Sequence, residues 1–542
     1  MASNSTPGTL PGGPALNVSG LDTMATAPVT IAIAVVVVGF LILHILSPSV
    51  DPREPPLVKP RIPLIGHILG LMRHQASYHI ILQRSTGKPI ATLPMLTGKV
   101  YAVWDPHLIA AGLRNKNLSS TPHIKAVTPA VTQVTKHTAD LLTGPEGDHL
   151  TDRMMLHAIP NSLKGASIQR LNETALAALA SSLSAFAATG SESVPNAWLW
   201  LRRLITSATG KAVYGPEDPF AKDTEVEDAL WDLEANLLKL SLNLPAPLVK
   251  AGHRARAVLQ QALMPYYAAR HDEDAAASDF VRLRAAELRT GGLPDDDIAR
   301  LEMMLPFAAL ANTVPLLFWL ICNIFSRPEL VEQLRQEVEA GLVTAKTDDG
   351  EVTLLAGTAA VEERCPLLMS CYRETLRRTV HQVSTRTAMQ DTVLTDRNGR
   401  QYLLKAGTVV QMAIGASHAQ DEYWGGDVDE FKPDRFIRKE ADSNGEGPGS
   451  SKAMRAAFQP FGGGVHLCPG RYFAFAEMMA VVSTLLLGFE VEPLEGTEWK
   501  VPGFATRSVI DAVTKPAKQG EGFGMRFRRR QGWENVRWVY QL

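Results

Sequence analysis

The sequence predicts a mainly α-helical protein with small β-sheets and a transmembrane helix near its N-terminus. Helical apolar spacing runs through residues 171–186 and 225–242, in the middle of the chain. Short strand-like stretches lie at 89–93, 99–104 and 407–412. An uninterrupted apolar run precedes all of these segments, and no internal repeat is visible.

The apolar run near the N-terminus covers residues 27–46 and contains no Asp, Glu, Lys or Arg. About 20 apolar residues are enough to cross a bilayer, so the run is predicted to be a transmembrane helix. No Lys or Arg precedes it, whereas Arg53, Lys59 and Arg61 follow. By the positive-inside rule, the N-terminus then lies outside and the rest of the chain lies in the cytosol. The alternative is a buried core helix.

The segments on either side of this helix agree with that orientation. Residues 1–26 become a lumenal tail, in which Asn4 and Asn17 stand in glycosylation sequons. Residues 47–66 contain repeated prolines, which cannot continue a helix and make a stiff connector. Residues 67–542 show no composition break and are predicted to form one catalytic domain.

Composition and charge exclude some classes of function. The chain has 542 residues, is 45% hydrophobic and carries a formal net charge of −2, which gives no electrostatic case for binding nucleic acid. Its four cysteines, Cys322, Cys365, Cys371 and Cys468, are too sparse for a disulfide framework. They favour a reducing compartment and do not match zinc-ligand spacing.

The second half of the chain contains the longest predicted helix. Three aspartates at 295–297 match the dipole of a helix N-terminus, and the apolar pattern continues to about residue 325. Pro328 is suited to the first turn of the next helix. Residues 438–452 are rich in Gly, Ser and charge and are predicted to form a surface loop.

The most informative segment is the glycine-rich loop that contains Cys468. Three glycines at 462–464 allow positive φ angles and close approach of a bulky planar group. A helical run begins at Arg471, so exposed N–H groups and the helix dipole favour a thiolate at Cys468. Thiolate ligation of haem iron needs such an environment. The alternative is a turn that holds an inert thiol.

The order Phe461-x-x-Gly464-x-x-x-Cys468-x-Gly resembles the haem-binding loop of the cytochrome P450 family. Upstream, Glu374-x-x-Arg377 and a segment at 431–436 that contains Arg435 also resemble family motifs, in the family's order and spacing. The resemblance covers the whole chain. It implies a cytochrome P450 fold and a haem b cofactor with Cys468 as the axial ligand of the iron. It also implies cofactor contacts from Phe461 and Gly464.

The resemblance implies further roles for charged residues. Glu374, Arg377 and Arg435 would form a buried ion network that braces the haem-side loop, because an unpaired buried charge is costly. Arg386 matches the position that binds a haem propionate. His466 stands where many members have Arg and could donate one hydrogen bond to the haem, or could have no haem role.

One motif of the family is missing from this chain. The Trp-x-x-x-Arg of an early helix, which the resemblance would lead one to expect, is not found in the sequence. Arg153 or His157 could substitute for its arginine as a partner of the haem.

The centre of the long predicted helix contains the candidate catalytic residues. Family members usually have an acidic residue followed by Thr over the iron; here Thr313 follows Asn312. Asn cannot titrate, so any proton relay would run through the Thr313 hydroxyl and ordered water. Pro315 lacks an N–H and leaves a carbonyl without its helical partner, and Pro306 repeats this defect. The alternative is a core helix with two tolerated kinks.

Substrate contacts are implied only by resemblance. The family lines its pocket with positions that correspond to Phe307 and Leu310, residues 380–383 and residues 504–506, which are largely apolar here. The string at 311–319 and the segment at 520–541, with its strand-like end, resemble the branch that holds sterol and bile-acid hydroxylases and prostacyclin synthase. That branch contains both hydroxylases and a non-oxidative isomerase.

The resulting expectation is a haem-thiolate monooxygenase anchored by a single span in the endoplasmic reticulum membrane, with a cytosolic catalytic domain. It would use O2 and electrons from an NADPH-cytochrome reductase to hydroxylate a lipophilic terpenoid, steroid or other secondary metabolite. The first alternative is a haem-thiolate isomerase or dehydratase that acts on an oxygenated lipid. The second alternative is a non-catalytic haem or sterol binder.

Overall fold

The computed structural model describes residues 36–37, 50–60, 62, 65–96, 98–188, 190–437, 451–496, 498–517 and 523–542. The predicted lumenal tail with its sequons, and the predicted transmembrane helix except Val36 and Val37, lie outside these residues. Two described helical runs have the length and composition of a membrane span, Asp295–Phe325 and Arg471–Gly488. They are 78% and 83% buried inside the fold, which identifies them as core segments.

Helices make up most of the described chain, as predicted. The first group is α1 (Ile68–His74), α2 (Ser77–Thr86), α3 (Pro106–Arg114), α4 (Thr121–Thr132), α5 (Lys136–Thr143), α6 (Pro145–Arg153), α7 (Ile159–Ser162), α8 (Gly165–Ala185), α9 (Ala197–Tyr214), α10 (Thr224–Ser241), α11 (Lys250–Ala268) and α12 (Asp279–Thr290). The second group is α13 (Asp295–Glu302), α14 (Met304–Leu310), α15 (Thr313–Phe325), α16 (Pro328–Leu342), α17 (Thr358–Arg364), α18 (Pro366–Thr379), α19 (Ile414–Ser417), α20 (Asp421–Trp424), α21 (Ser451–Ala457) and α22 (Arg471–Gly488). The helices predicted at 171–186 and 225–242 are confirmed as α8 and α10.

Side-chain caps fix several helix starts. Asp105 accepts a hydrogen bond from the backbone N–H of Leu108 at 2.9 Å and begins α3. Asn196 caps α9 and Ser278 caps α12 in the same way. Pro328 occupies the first turn of α16, as the sequence predicts, because an N–H there would have no intrahelical partner.

The long helical run predicted over 295–325 is confirmed, and breaks in its hydrogen bonding divide it into α13, α14 and α15. Pro306 is the third residue of α14 and Pro315 is the third residue of α15. The first N–H groups of a helix lack intrahelical partners, so a proline is tolerated there and not in a helix interior. Each proline therefore lies just after a break, and the second break falls at Ala311 and Asn312.

The sheets are small and peripheral, as predicted. The strands are β1 (Ile90–Pro94), β2 (Lys99–Val103), β3 (Leu118–Ser119), β4 (Ser191–Val194), β5 (Val343–Lys346), β6 (Glu351–Leu355), β7 (Val383–Ala388), β8 (Thr392–Thr395), β9 (Gln401–Leu404), β10 (Val409–Ala413), β11 (Phe489–Pro493), β12 (Met525–Arg529) and β13 (Arg537–Gln541). The largest sheet has the order β1-β2-β10-β7-β3, and within it only β2 and β10 pair in parallel. The predicted strands at 89–93, 99–104 and 407–412 are confirmed within this sheet.

Two further predictions concern the loop after residue 437 and the end of the chain. The surface loop predicted over 438–452 falls mostly outside the described residues, and its last two positions are wrong because α21 begins at Ser451. The predicted strand at the C-terminus is confirmed as β13, which pairs in parallel with β6.

The core lies around α15 and α22, which are buried along almost their whole lengths. One polar group in this core is Glu477 of α22, which is fully buried. The Thr209 hydroxyl of α9 donates to its Oε1 at 2.7 Å, and Oε2 has no described partner. Burial raises the pKa of Glu477 to about 8, so this carboxyl is protonated at neutral pH.

Candidate active site

A buried ion network lies at the end of α18 and joins that helix to the segment after α20. Arg377 Nε and Nη2 each donate to the Glu374 carboxylate at 2.8 Å. Arg435 Nε donates to Glu374 Oε1 at 3.0 Å, so one carboxylate serves two guanidinium groups. All three side chains are buried. The network that the resemblance implied is therefore present.

A fourth member of the network was missed by the sequence analysis. Asp427 accepts a hydrogen bond from Arg435 Nη1 at 2.7 Å, and its pairing with Arg435 lowers the pKa of Asp427. The four charges then sum to zero, which makes their burial tolerable. Arg377 also donates to the backbone oxygens of His418 and Val428, at 3.0 and 2.8 Å. The network thereby fixes the chain leading toward the Cys468 loop.

The Cys468 loop is closed by its own backbone. The Cys468 N–H donates to the Phe461 oxygen at 3.1 Å, and Arg471 Nη1 donates to the Cys468 oxygen at 2.8 Å. α22 begins at Arg471, as predicted. Cys468 is partly exposed, whereas the other three cysteines are buried in the core. Cys468 is thus the cysteine whose thiol can be reached.

The glycines of this loop allow backbone angles and a close contact that other residues would not. Gly462 and Gly464 have φ angles of 74° and 64°, which L side chains rarely adopt, whereas Gly463 is extended. A Cβ at Gly464 would lie 2.2 Å from the Leu113 oxygen at the end of α3. The predicted close approach at Gly464 is therefore an approach to the backbone of α3.

Burial raises the pKa of the Cys468 thiol, while the N–H groups of Gly470 and Arg471 and the charge of Arg471 lower it. The start of α22 therefore lowers the pKa of the thiol, as predicted, but burial raises this pKa by more. A bound metal ion deprotonates a coordinating thiol, so the two groups at the helix start assist such a ligand.

Arg386 and His466 lie close enough for their charges to interact. Arg386, on β7, is buried, and its Nη1 donates to the Thr385 oxygen at 3.0 Å. It pairs with no carboxylate in the described part of the chain, and burial lowers its pKa. Burial and the Arg386 charge also lower the pKa of His466, so that ring is neutral at neutral pH and can donate one hydrogen bond.

The two residues considered as substitutes for the missing arginine are placed differently. Arg153 ends α6, and its Nε donates to Glu287 at 3.0 Å, so this guanidinium already has an acidic partner. His157 is exposed in a π-helical turn that follows α6. Arg153 is therefore a poor candidate for holding another anion.

Asn312 and Thr313 lie at the break between α14 and α15. The Thr313 hydroxyl is buried and donates to the Ala309 oxygen at 2.9 Å. The Asn312 Oδ1 accepts hydrogen bonds from the backbone N–H groups of Ala512 and Val513, at 3.2 and 3.3 Å. The break is thus held by a segment two hundred residues further along the chain. Phe504 of that segment packs edge-on against Trp319, at 4.6 Å between ring centroids.

A buried cluster of charged residues near this break was also missed by the sequence analysis. Lys515 Nζ pairs with Glu234 of α10 and, at 3.0 Å, with Asp511 Oδ2. Burial raises the pKa of Asp511 and lowers the pKa of Lys515. Asp511 Oδ1 has no hydrogen-bond partner among the described residues. No local sequence pattern indicates this cluster, because Glu234 is distant in sequence from Asp511 and Lys515.

Comparisons with known proteins agree with this geometry. The family model described as "Cytochrome P450" matches residues 55–510. The chain belongs to the cytochrome P450 family. It is 35% identical over 530 residues to a cytochrome P450 monooxygenase of Gibberella zeae, covering 96% of this chain and 97% of that protein.

Two further relatives of this P450 span most of its length. Cytochrome P450 monooxygenase nodJ of Hypoxylon pulicicidum is 30% identical over 498 residues, covering 91% of this chain and 93% of nodJ. The human 7-alpha-hydroxycholest-4-en-3-one 12-alpha-hydroxylase is 24% identical over 483 residues, covering 86% of this chain and 92% of that enzyme. This P450 is an oxidoreductase whose cofactor is haem with an axial cysteine thiolate, and it uses O2 and a redox partner.

The residues of this P450 fit that cofactor. Cys468 offers a reachable thiol on a loop whose backbone is already closed by its own hydrogen bonds. Arg386 offers a buried positive charge that no described carboxylate neutralises, which suits an anionic propionate. His466 lies beside it and can add a hydrogen bond.

Proposed function

We propose that this P450 is a monooxygenase that hydroxylates a lipophilic small molecule, such as a terpenoid, steroid or other secondary metabolite. The observation that carries the proposal is the buried Thr313 hydroxyl at the helix break, beside the amide of Asn312. A hydroxyl that donates to a carbonyl keeps its own oxygen lone pairs for a water molecule. Thr313 Oγ1 can therefore accept a hydrogen bond from a water molecule and hold that water at the helix break.

The cofactor residues of the proposal are those that the sequence analysis named. Cys468 would be the axial ligand of the iron, and Arg386 and His466 would hold the propionates. Phe461 and Gly464 shape the loop, the first through its oxygen and the second through its φ angle. When bound, haem supplies the oxidative chemistry, and a thiolate ligand favours O–O cleavage.

Asn312 would orient the substrate rather than carry protons, since an amide does not titrate. Its Oδ1 is occupied by two backbone N–H groups, which fixes the rotation of the amide. Its Nδ2 makes no hydrogen bond to any other described residue and can donate to an oxygen of the substrate. Phe307 and Leu310 on α14 would supply apolar contacts on the same side of the break.

The substrate class rests on relatives as well as on these residues. One relative is named for the 12-alpha-hydroxylation of 7-alpha-hydroxycholest-4-en-3-one, a lipid with polar oxygens on an apolar body. The largely apolar positions that the resemblance assigns to the substrate pocket, with the Asn312 amide among them, would suit molecules of that kind. The distribution of apolar and polar groups therefore favours an oxygen-bearing lipid over a polar metabolite.

The apolar run at 27–46 supports a single-pass anchor in the endoplasmic reticulum membrane, with residues 1–26 lumenal, 47–66 a hinge and 67–542 a cytosolic catalytic domain. NADPH-cytochrome reductase would be the electron donor. It would approach the Cys468 loop, whose outer face exposes Val465, Leu467 and Tyr472 beside a cavity of about 800 Å³.

The test is product analysis in microsomes that contain the full-length protein and NADPH-cytochrome reductase, using a panel of terpenoids and steroids under ¹⁸O2. We expect an NADPH-dependent product that gains one labelled oxygen atom. Asn312 in place of an acid leaves open the alternative of a non-oxidative isomerase or dehydratase, and turnover of a peroxide or epoxide without NADPH would establish that alternative. Ligand binding without any product would instead point to a non-catalytic binder.

A further inference from the structure

A small pocket lined by arginines lies away from the Cys468 loop, among α2, the end of α18, α19 and the segment that follows β11. Its volume is about 120 Å³, which has room for several water molecules. Four arginines line it, contributed by three different parts of the chain: Arg84, Arg377, Arg378 and Arg507. Asp429 is the one acidic residue in its lining.

Two of these arginines already have partners. Arg377 is committed to Glu374 and to backbone oxygens within the buried network. Arg84 lies at the rim, where its Nη2 donates to both Asp429 oxygens, at 3.0 and 3.1 Å, and to the Ala419 oxygen at 3.2 Å. The Asp429 side chain is 75% exposed, so this pair is solvated and leaves the pocket open at that side.

The other two arginines have no carboxylate partner among the described residues. Arg507 Nη2 donates to the backbone oxygen of Arg378 at 3.4 Å, and its guanidinium lies over the Phe504 ring at 5.8 Å. The Arg378 guanidinium donates no hydrogen bond to any residue in the described ranges. Burial lowers the pKa of both, and the charge of a neighbouring arginine lowers each further. Both remain charged because an arginine does not deprotonate in proteins.

Two neighbouring cations that are partly removed from water are unfavourable unless an anion joins them. The exposed Asp429 lowers this repulsion only in part, because it lies at the rim and pairs with Arg84. Guanidinium groups present planar forks of N–H donors that match phosphate oxygens. Arg378 and Arg507 together offer more donors than a chloride ion or a single carboxylate could use.

We propose that this arginine pocket binds a phosphate group, either as inorganic phosphate or as the phosphate of a lipid headgroup. Arg378 and Arg507, on which the proposal rests, have no part in the haem-side site, so the proposal stands independently of the proposed function. A phosphate there would join α2, the end of α18 and the segment around Arg507. The Thr514 N–H in that segment donates to the Thr379 oxygen at 3.0 Å, and Ala512 and Val513 hold Asn312. Occupancy would therefore stabilise the segment that fixes the helix break.

The experiment measures binding to the full-length holoenzyme in detergent, in chloride buffers of constant ionic strength. Inorganic phosphate is titrated by calorimetry, and the thermal midpoint is followed with and without phosphate. A second arm measures co-sedimentation with vesicles of phosphatidylcholine, with and without phosphatidic acid. Arg378→Gln and Arg507→Gln each remove one unpaired cation. Arg254→Gln removes an exposed arginine of α11 and is the control.

We expect phosphate to raise the thermal midpoint of the wild type and of the control, and each pocket variant to bind phosphate about tenfold more weakly. Without phosphate, the pocket variants should unfold no earlier than the wild type, because each relieves repulsion. Capture by phosphatidic acid vesicles, lost in both variants, would assign the headgroup as the source. No response of the wild type to either phosphate source would overturn the proposal. So would an equal response in the pocket variants.

Discussion

Replacing Glu477 with glutamine should raise the free energy of unfolding at neutral pH and change this free energy little near pH 5. In the folded protein, burial raises the pKa of Glu477 from 4.5 to about 8, so the carboxyl keeps its proton while the unfolded chain releases it. The stability of the wild type therefore falls as pH rises from about 4.5 to about 8. Glutamine is neutral throughout and can still accept the hydrogen bond from Thr209.

The magnitude follows from the same pKa. At pH 7, about 2.5 pH units above the ordinary value of 4.5, the wild type loses about 3 kcal/mol relative to acidic conditions, and at pH 5 it loses under about 1 kcal/mol. Glu477→Gln should therefore raise the free energy of unfolding by about 3 kcal/mol at pH 7.

The assay is urea unfolding of the full-length protein in detergent at pH 5, 6, 7 and 8, with the exposed Glu362→Gln as the control. A growing difference between Glu477→Gln and the wild type with rising pH is the expected result. A variant that is less stable at every pH would show that Glu477 is ionised and paired, and would refute the reasoning.

Three further variants probe the haem-side and distal residues. Glu374→Gln leaves Arg377 and Arg435 without a carboxylate between them and should lower the free energy of unfolding by about 3–5 kcal/mol in urea, whereas exposed Glu362→Gln should cost under about 1 kcal/mol. Equal effects of these two changes would count against the network. Arg386→Leu should lower the haem-to-protein ratio after purification, and an unchanged ratio would argue against a propionate contact. Thr313→Ala should increase NADPH consumption per molecule of product, and unchanged coupling would remove its role in proton transfer.

The haem-side features were predictable because they depend on short motifs. Cys468 is followed within three residues by a helix N-terminus, and Glu374 and Arg377 lie one helical turn apart, so local geometry brings each set together. Where the apolar periodicity was clear, the helices and strands were also predicted to within a few residues of their observed bounds. In such segments the sequence pattern and the tertiary packing favour the same structure.

Features that join distant segments could not be predicted. Nothing near Asn312 indicates that Ala512 and Val513 will donate to it, and nothing near Lys515 indicates a partner on α10. Glu477 has no local signal either, since a single Glu in an apolar helix is usually exposed. The break at Ala311 and Asn312 is different, because Pro315 indicates it locally by removing one helical hydrogen bond. Only the contacts that hold the break have no local signal.

The central claim is that Cys468 is the axial thiolate ligand of the haem. The most direct test is the reduced, CO-bound absorption spectrum of the purified full-length protein and of two variants. Cys468→Ala removes the proposed ligand, and Cys365→Ser is the control, because Cys365 is buried and a hydroxyl can replace its thiol as donor to the Glu337 oxygen. We predict the thiolate band in the wild type and in Cys365→Ser, and its loss in Cys468→Ala. A thiolate band that persists in Cys468→Ala would contradict the account.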